Sequence, residues 1–235
     1  MAPTRSRAAD LIRRGCVKVA GETELKPGAL VAKDAELALS PDASPYVSRG
    51  GLKLAAALNA FGFAPEGRVA LDIGASTGGF TDLLVARGAA KVYAVDVGSG
   101  QLRAKLRADP KIMSLEGTDA RALDRSVVGE RVTAIVADVS FISLTLALPA
   151  ALGLAAPGAW LVALVKPQFE AGREAVGKGG IVRSEADRQR AVAKVRKFIE
   201  AQPGWKVVGV TASPLKGGSG NEDFLLGARC DGSAA

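Results

Sequence analysis

The chain has 235 residues, 48% of them hydrophobic and 23% charged, which excludes a wholly disordered polypeptide. Its net charge of +7 favours an anionic partner, and the absence of histidine excludes imidazole metal sites and every histidine-based triad or general base. Its two cysteines, Cys16 and Cys230, form no CxxC pair, which speaks against a thiolate zinc site or a disulfide framework and fits a reducing, cytoplasmic setting.

The first ten residues have no apolar stretch, so no secretory signal is expected. Residues 1–45 read as a small separate unit. Ala8, Ala9, Leu11 and Ile12 mark a short helix studded with Arg5, Arg7, Arg13 and Arg14, and Gly15 is its stop. Short strands are expected at 16–19 and 29–31, joined through Gly21 and Lys26-Pro27-Gly28. Together with Lys18, and against Asp10, the arginines give a basic patch suited to phosphates of folded RNA. Residues 40–45 carry two prolines and two serines and read as a linker.

From residue 46 the pattern changes. A helix is expected over 52–61. Strands at 69–73, 91–97, 112–115, 132–138, 159–165, 207–210 and 224–228 then alternate with helices at 80–87, 101–107, 144–152 and 185–201. This rhythm predicts a mostly parallel, Rossmann-like sheet with helices on both faces and ligands at the carboxyl ends of the strands. The apolar run from Phe141 to Val165 is interrupted by Pro149, Gly153, Pro157 and Gly158, so no membrane span is expected.

The loop after the first strand of that domain reads Leu71-Asp72-Ile73-Gly74-Ala75-Ser76-Thr77-Gly78-Gly79-Phe80. Its glycines allow a tight turn and close approach of backbone to a ligand. Asp96, at the end of the next strand, can accept from both hydroxyls of a ribose. A carboxylate at Asp72 would repel a pyrophosphate and suits a cationic or zwitterionic ligand such as the amino-acid end of S-adenosyl-L-methionine, which the residues favour over NAD, the alternative they leave open.

Two further strand ends carry charge. Asp138 closes one and Lys166, followed by Pro167, closes its neighbour. Lys53 opens the helix that enters the domain. A Lys–Lys–Asp cluster can handle the proton of a weak acid such as a sugar hydroxyl without histidine. Lys166 either takes or shares that proton, or stays charged and stabilises the developing alkoxide.

Tyr46-Val47-Ser48-Arg49-Gly50-Gly51-Leu52-Lys53-Leu54, the glycine loop, Val95-Asp96-Val97-Gly98, Ala137-Asp138-Val139-Ser140-Phe141-Ile142-Ser143, Val165-Lys166-Pro167-Gln168-Phe169-Glu170 and Gly177-Lys178-Gly179-Gly180-Ile181 together closely resemble the TlyA (haemolysin A) family. The resemblance implies an rRNA (cytidine-2′-O)-methyltransferase of class I fold, with a seven-stranded FtsJ-like domain over 46–235 and an S4-type RNA-binding domain over 1–45. The usual first helix of that small domain has no counterpart here.

The resemblance also implies S-adenosyl-L-methionine as cofactor, no metal and no membrane. The implied partner is a ribosomal subunit, the large one being favoured. A catalytic set Lys-Asp-Lys-Glu falls on Lys53, Asp138 and Lys166. The fourth place falls on Asp223 by register, or on Glu222 with a slip of one residue. The donor is expected on Asp72, Gly74, Ala75, Ser76, Thr77, Gly78, Gly79 and Phe80, with Asp96 and Val97 toward the ribose and Asp119 and Ala120 toward the adenine. Arg49 joins the RNA-binding residues. Residues 170–183 are expected to close over the acceptor nucleotide. A non-catalytic RNA-binding protein on the same fold, and a cytolysin, stand as alternatives.

Overall fold

A computed structural model of the chain describes residues 5–13, 15–40, 46–217 and 220–232. Two units separate, Met1–Pro45 and Tyr46–Ala235.

In the first unit, helix α1 (Arg5–Arg13) buries Leu11 and ends where Gly15 turns to a positive φ of 68°. Strand β1 (Val17–Val19) lies between β2 (Glu22–Glu24) and β3 (Leu37–Leu39), antiparallel to both. Ala20 and Gly21 connect β1 to β2 with positive φ at both positions, the two-residue turn that matches strand twist. The strand expected at 29–31 is not there. Ala29 N–H closes a turn onto the Lys26 carbonyl, and Leu30 is fully exposed. Three-residue strands carry too little alternation for sequence to distinguish them. Arg14, the side chains of Arg7 and Asp10, and residues 41–45 lie outside the described residues.

The second unit is a three-layer sandwich. Its elements are α2 (Gly50–Phe61), β4 (Val69–Ile73), α3 (Gly79–Ala86), β5 (Lys91–Asp96), α4 (Ala104–Arg107), β6 (Ile112–Glu116), α5 (Arg125–Val128), β7 (Val132–Ala137), α6 (Leu144–Ala147), α7 (Pro149–Gly153), β8 (Ala155–Val165), α8 (Pro167–Glu170), α9 (Glu185–Glu200), β9 (Trp205–Ala212) and β10 (Phe224–Cys230). The sheet order is β6-β5-β4-β7-β8-β10-β9, with β10 antiparallel to both its neighbours.

Alternation along each strand splits the core in two. Leu71, Ile73, Ile135 and Leu161 pack with Leu148, Val195 and Ile199 on one face. Ala70, Ala134, Val136 and Leu164 pack with Leu54, Leu58, Leu83 and Leu84 on the other. Each large aliphatic side chain buried this way contributes about 1.5–3 kcal/mol.

Several boundaries differ from the sequence reading. The helix expected over 144–152 is two, because Pro149 has no N–H to continue α6 and instead starts α7. The helix expected over 101–107 begins only at Ala104. β5 ends at Asp96, leaving Val97 exposed. β8 starts at Ala155 and β9 spans Trp205–Ala212, both longer than expected. Among the described residues no helix is long and apolar enough to cross a membrane, and no group of three His, Cys, Asp or Glu side chains could hold a metal ion.

Candidate active site

The order of the parallel strands reverses between β4 and β7, so their carboxyl ends part and open a crevice. The glycine loop fills that gap. Gly74 and Ala75 N–H groups donate to the Val95 carbonyl, and Asp138 N–H donates to the Ile73 carbonyl, pinning three strand ends together. A Cβ at Gly74 would lie 2.7 Å from the Asp138 carbonyl oxygen, and one at Gly78 would lie 2.2 Å from Leu106 Cδ1. Only glycine permits the turn and its closeness to Asp138.

Two adjoining depressions flank this turn and share Gly74, Ser76, Asp138 and Ser140. The larger, about 590 Å³, adds Asp96, Val97, Gln101, Asp119, Ala120 and Phe141 to its lining. The smaller, about 340 Å³, adds Arg49, Lys53, Thr77, Phe80, Lys166 and Lys216. Both volumes are in the range of small-molecule sites.

Two lysine–aspartate pairs stand at the smaller depression. Lys53, in the first turn of α2, donates to Asp223 Oδ2 at 2.6 Å, and the Asp223 side chain is fully buried. Burial pushes the Asp223 carboxyl up, and the Lys53 ammonium opposes that shift. Lys166 stands at the end of β8 because Pro167 cannot continue the ladder. Its Nζ lies 2.7 Å from Asp138 Oδ1, in ion-pair contact but outside hydrogen-bonding angles, and donates instead to Ser140 Oγ at 2.9 Å. This second pair is partly open, 14% and 24% exposed.

The structure separates the two candidates for the fourth position. Asp223 meets Lys53, while its neighbour Glu222 faces away and pairs with Arg188 at 3.4 Å, half exposed. Successive residues on extended chain point to opposite sides, so the expectation that placed Glu222 in the cluster is corrected.

Asp72 sits beneath the glycine turn rather than in its lining. It is fully buried, accepts from Thr81 Oγ1 at 2.6 Å, and is pushed up to about 7, chiefly by burial. Asp96 is partly buried, and its two oxygens accept from the Ser76 and Gly98 N–H groups at 2.7 and 2.8 Å. Asp119 is gripped by the Arg121 guanidinium, which holds its carboxyl below the usual range. Gly79 opens α3, and Phe80, itself buried, lines the smaller depression beside it.

Arg5, Arg13 and Lys18 are exposed on the first unit, whereas Arg49 belongs to the second and lines the smaller depression. Residues 170–183 line neither depression. They are anchored by buried Glu170, which accepts from Leu144 N–H and Ser143 Oγ, and by Asn221, which accepts from Val182 N–H and donates to the Gly180 carbonyl.

Sequence reasoning missed Ser140, Phe141 and Lys216 as lining residues. Ser140 and Phe141 stand inside the motif that contains Asp138, which was the available signal. Phe141 holds a positive φ of 65° and is 92% exposed, with its ring 5.2 Å from that of Phe169. Such strain in a non-glycine residue collects at functional sites. Nothing in the local sequence marks Lys216.

A family model described as FtsJ-like methyltransferase matches residues 46–230. The 16S/23S rRNA (cytidine-2′-O)-methyltransferase TlyA of Mycobacterium tuberculosis (strain CDC 1551 / Oshkosh) is 48% identical over 227 residues, covering 96% of this chain and 84% of the relative. A solved structure from Streptococcus thermophilus, named as a candidate hemolysin, superposes with a TM-score of 0.79 at 42% identity, over 97% of this chain and 84% of that one. An O-methyltransferase of Bacillus cereus solved in complex with SAH superposes with a TM-score of 0.54 at 16% identity, over 97% of this chain and 93% of that one, a likeness of fold alone. The parallel sheet with one inserted antiparallel strand is that of the class I methyltransferases, and the chain belongs to the TlyA family of FtsJ-like methyltransferases.

Proposed function

We propose that this protein transfers a methyl group from S-adenosyl-L-methionine to the 2′-hydroxyl of a cytidine in ribosomal RNA, with the large subunit as target, in the cytoplasm. The observation that carries the reading is the shared wall. Asp138, Ser140 and the glycine turn border both depressions, so a donor in the larger and a ribose in the smaller would meet across them.

The larger depression fits the cofactor. Its turn admits no Cβ at Gly74, where one would meet the Asp138 carbonyl, and Asp96, Asp119 and Asp138 all line it. Those carboxylates give a polar, anionic surround for a sulfonium and an ammonium group, with Asp138 also in contact with the Lys166 ammonium. The residues of its lining that would hold it are Gly74 and Ser76, with Asp96 and Val97 toward the ribose and Asp119 and Ala120 toward the adenine, while Ala75 and Thr77 border the smaller depression and Gly78 shapes the turn between. Asp72 would act through the turn above it. When bound, the cofactor supplies an electrophilic methyl group.

The protein's own residues supply the remainder. Lys166 and Asp138 face the acceptor hydroxyl and hold or take its proton, with Ser140 fixing the ammonium. Lys53, fixed by Asp223, aligns the ribose. Holding acceptor and donor in line provides much of the rate. No histidine is needed for any of these roles. The exposed Arg5, Arg13 and Lys18 support an S4-like, RNA-binding role for the first unit. The experiment is a map of ribose methylation in rRNA from cells with and without this protein. One 2′-O-methylcytidine should vanish from large-subunit RNA when the protein is absent. An unchanged map would overturn the reading, and a loss confined to the small subunit would overturn its target.

A further inference from the structure

The segment 213–217 is built directly over the Lys53–Asp223 pair. Ser213 N–H donates to the Asp223 carbonyl at 2.9 Å, and Gly217 N–H donates to the Asn221 carbonyl at 2.8 Å. Ser213 Oγ closes the turn onto the Leu215 carbonyl at 2.8 Å. A Cβ at Gly217 would stand 3.2 Å from both oxygens of Asp223, so the backbone passes against that carboxylate. Lys216 rides on this turn, exposed and lining the smaller depression.

Lys53, Lys166 and Lys216 line the depression, with Asp138 the carboxylate in its lining and Asp223 behind Lys53. Lys53 and Lys166 are each paired with an aspartate, whereas Lys216 has no ion-pair partner among the described residues. An exposed ammonium at the wall of the depression without a carboxylate partner is available to an anion from outside the chain, with which it can form a charge-assisted hydrogen bond.

The acceptor provides one. In RNA the carbon bearing the 2′-oxygen is bonded to the carbon bearing the 3′-oxygen, so the 3′-phosphate is the flanking phosphate closest to the reacting hydroxyl. A depression that holds the hydroxyl at Asp138 and Lys166 must also receive that phosphate. We propose that Lys216 is a positioning residue that binds the phosphate 3′ to the methylated ribose, seating the 2′-oxygen between Lys166 and the donor. This rests on the acceptor reading given above. It adds a contact that is electrostatic and indifferent to base identity.

The test uses the full-length protein and unmethylated large ribosomal subunits, with methyl transfer measured over a series of salt concentrations. Wild-type transfer is established first, since its failure would count against the acceptor reading and not against Lys216. Lys216→Ala should raise KM for the subunit about tenfold, the worth of one charge-assisted hydrogen bond. It should leave S-adenosylmethionine affinity unchanged and lower the slope of log KM against log salt by about 0.7–0.9. Lys216→Arg should restore most of the affinity and the slope. Lys216→Gln, which keeps the stem that covers the turn, separates charge from packing and should behave like the alanine variant. A fall in kcat with KM and salt slope unchanged would overturn the proposal, as would a Lys216→Gln variant indistinguishable from wild type.

Discussion

The two lysine–aspartate pairs of the smaller depression use the same residue types in opposite surroundings. Lys53–Asp223 is dry, hydrogen-bonded and closed over by the 213–217 turn. Lys166–Asp138 is partly open, off the hydrogen-bonding angle, and shared with Ser140. A dry pair is costly to break, because either partner left alone is a buried charge. A partly open pair is easier to reorganise when a substrate arrives. The difference teaches that enclosure of one carboxylate makes Lys53–Asp223 the costlier pair to break, while Lys166–Asp138, on the proposed reading, is the one free to exchange partners.

Breaking each pair tests that division. Lys166→Ala carries the largest expected effect: loss of about 10²–10⁴ in methyl transfer, read as tritium incorporated from labelled donor, with the melting temperature near that of wild type. Transfer that survives this change would remove Lys166 from the chemistry. Asp223→Ala should instead register in stability, costing about 3–5 kcal/mol in urea unfolding because the Lys53 ammonium is left buried without a counter-ion. Asp138→Ala should cost about 1 kcal/mol, since its pair is partly solvated. Equal losses at the two sites would erase the distinction between them.

Asp72 sharpens the comparison as a buried carboxylate with no lysine paired to it among the described residues. Its folded value, about 7, lies above the ordinary 3.8, so between those pH values the native state binds the extra proton. The stabilising contribution is therefore complete below pH 3.8 and is lost as pH rises toward 7, by up to about 4 kcal/mol. Asp72→Asn keeps an acceptor for Thr81 and should flatten that part of the stability–pH curve. A curve with the wild-type slope would place the titration elsewhere. The smallest effect is expected from Glu222→Gln, about 0.5 kcal/mol or less with methyl transfer retained, because its contact with Arg188 is long and half exposed.

Much of the fold was legible because strong periodic signals are local. The strand ending at Ile73 with its glycine turn, the strand ending at Val165 before Pro167, and the helix α9 each announce themselves within a few residues. In the first unit the strand expected at 16–19 is there as β1, but β2 and β3 went unread, since three residues barely display a period. Register favoured Asp223 over Glu222 but could not exclude the neighbour, because a slip of one residue reverses the facing of both. Lys216 was invisible for a different reason. Its proposed role depends on the turn that Gly217 makes against Asp223, the carboxylate that Lys53, 170 residues earlier, comes to meet.

The sequence by itself determined the alternation of strands and helices, the glycine turn with its acidic neighbours, and the lack of any imidazole. These follow from side-chain periodicity and from which residues permit a positive φ. Only the tertiary structure decided which carboxylate faces Lys53, that Asp72 lies beneath the turn, and that two depressions share one wall. Those are outcomes of long-range packing, where burial and the facing of each strand assign similar residues different work.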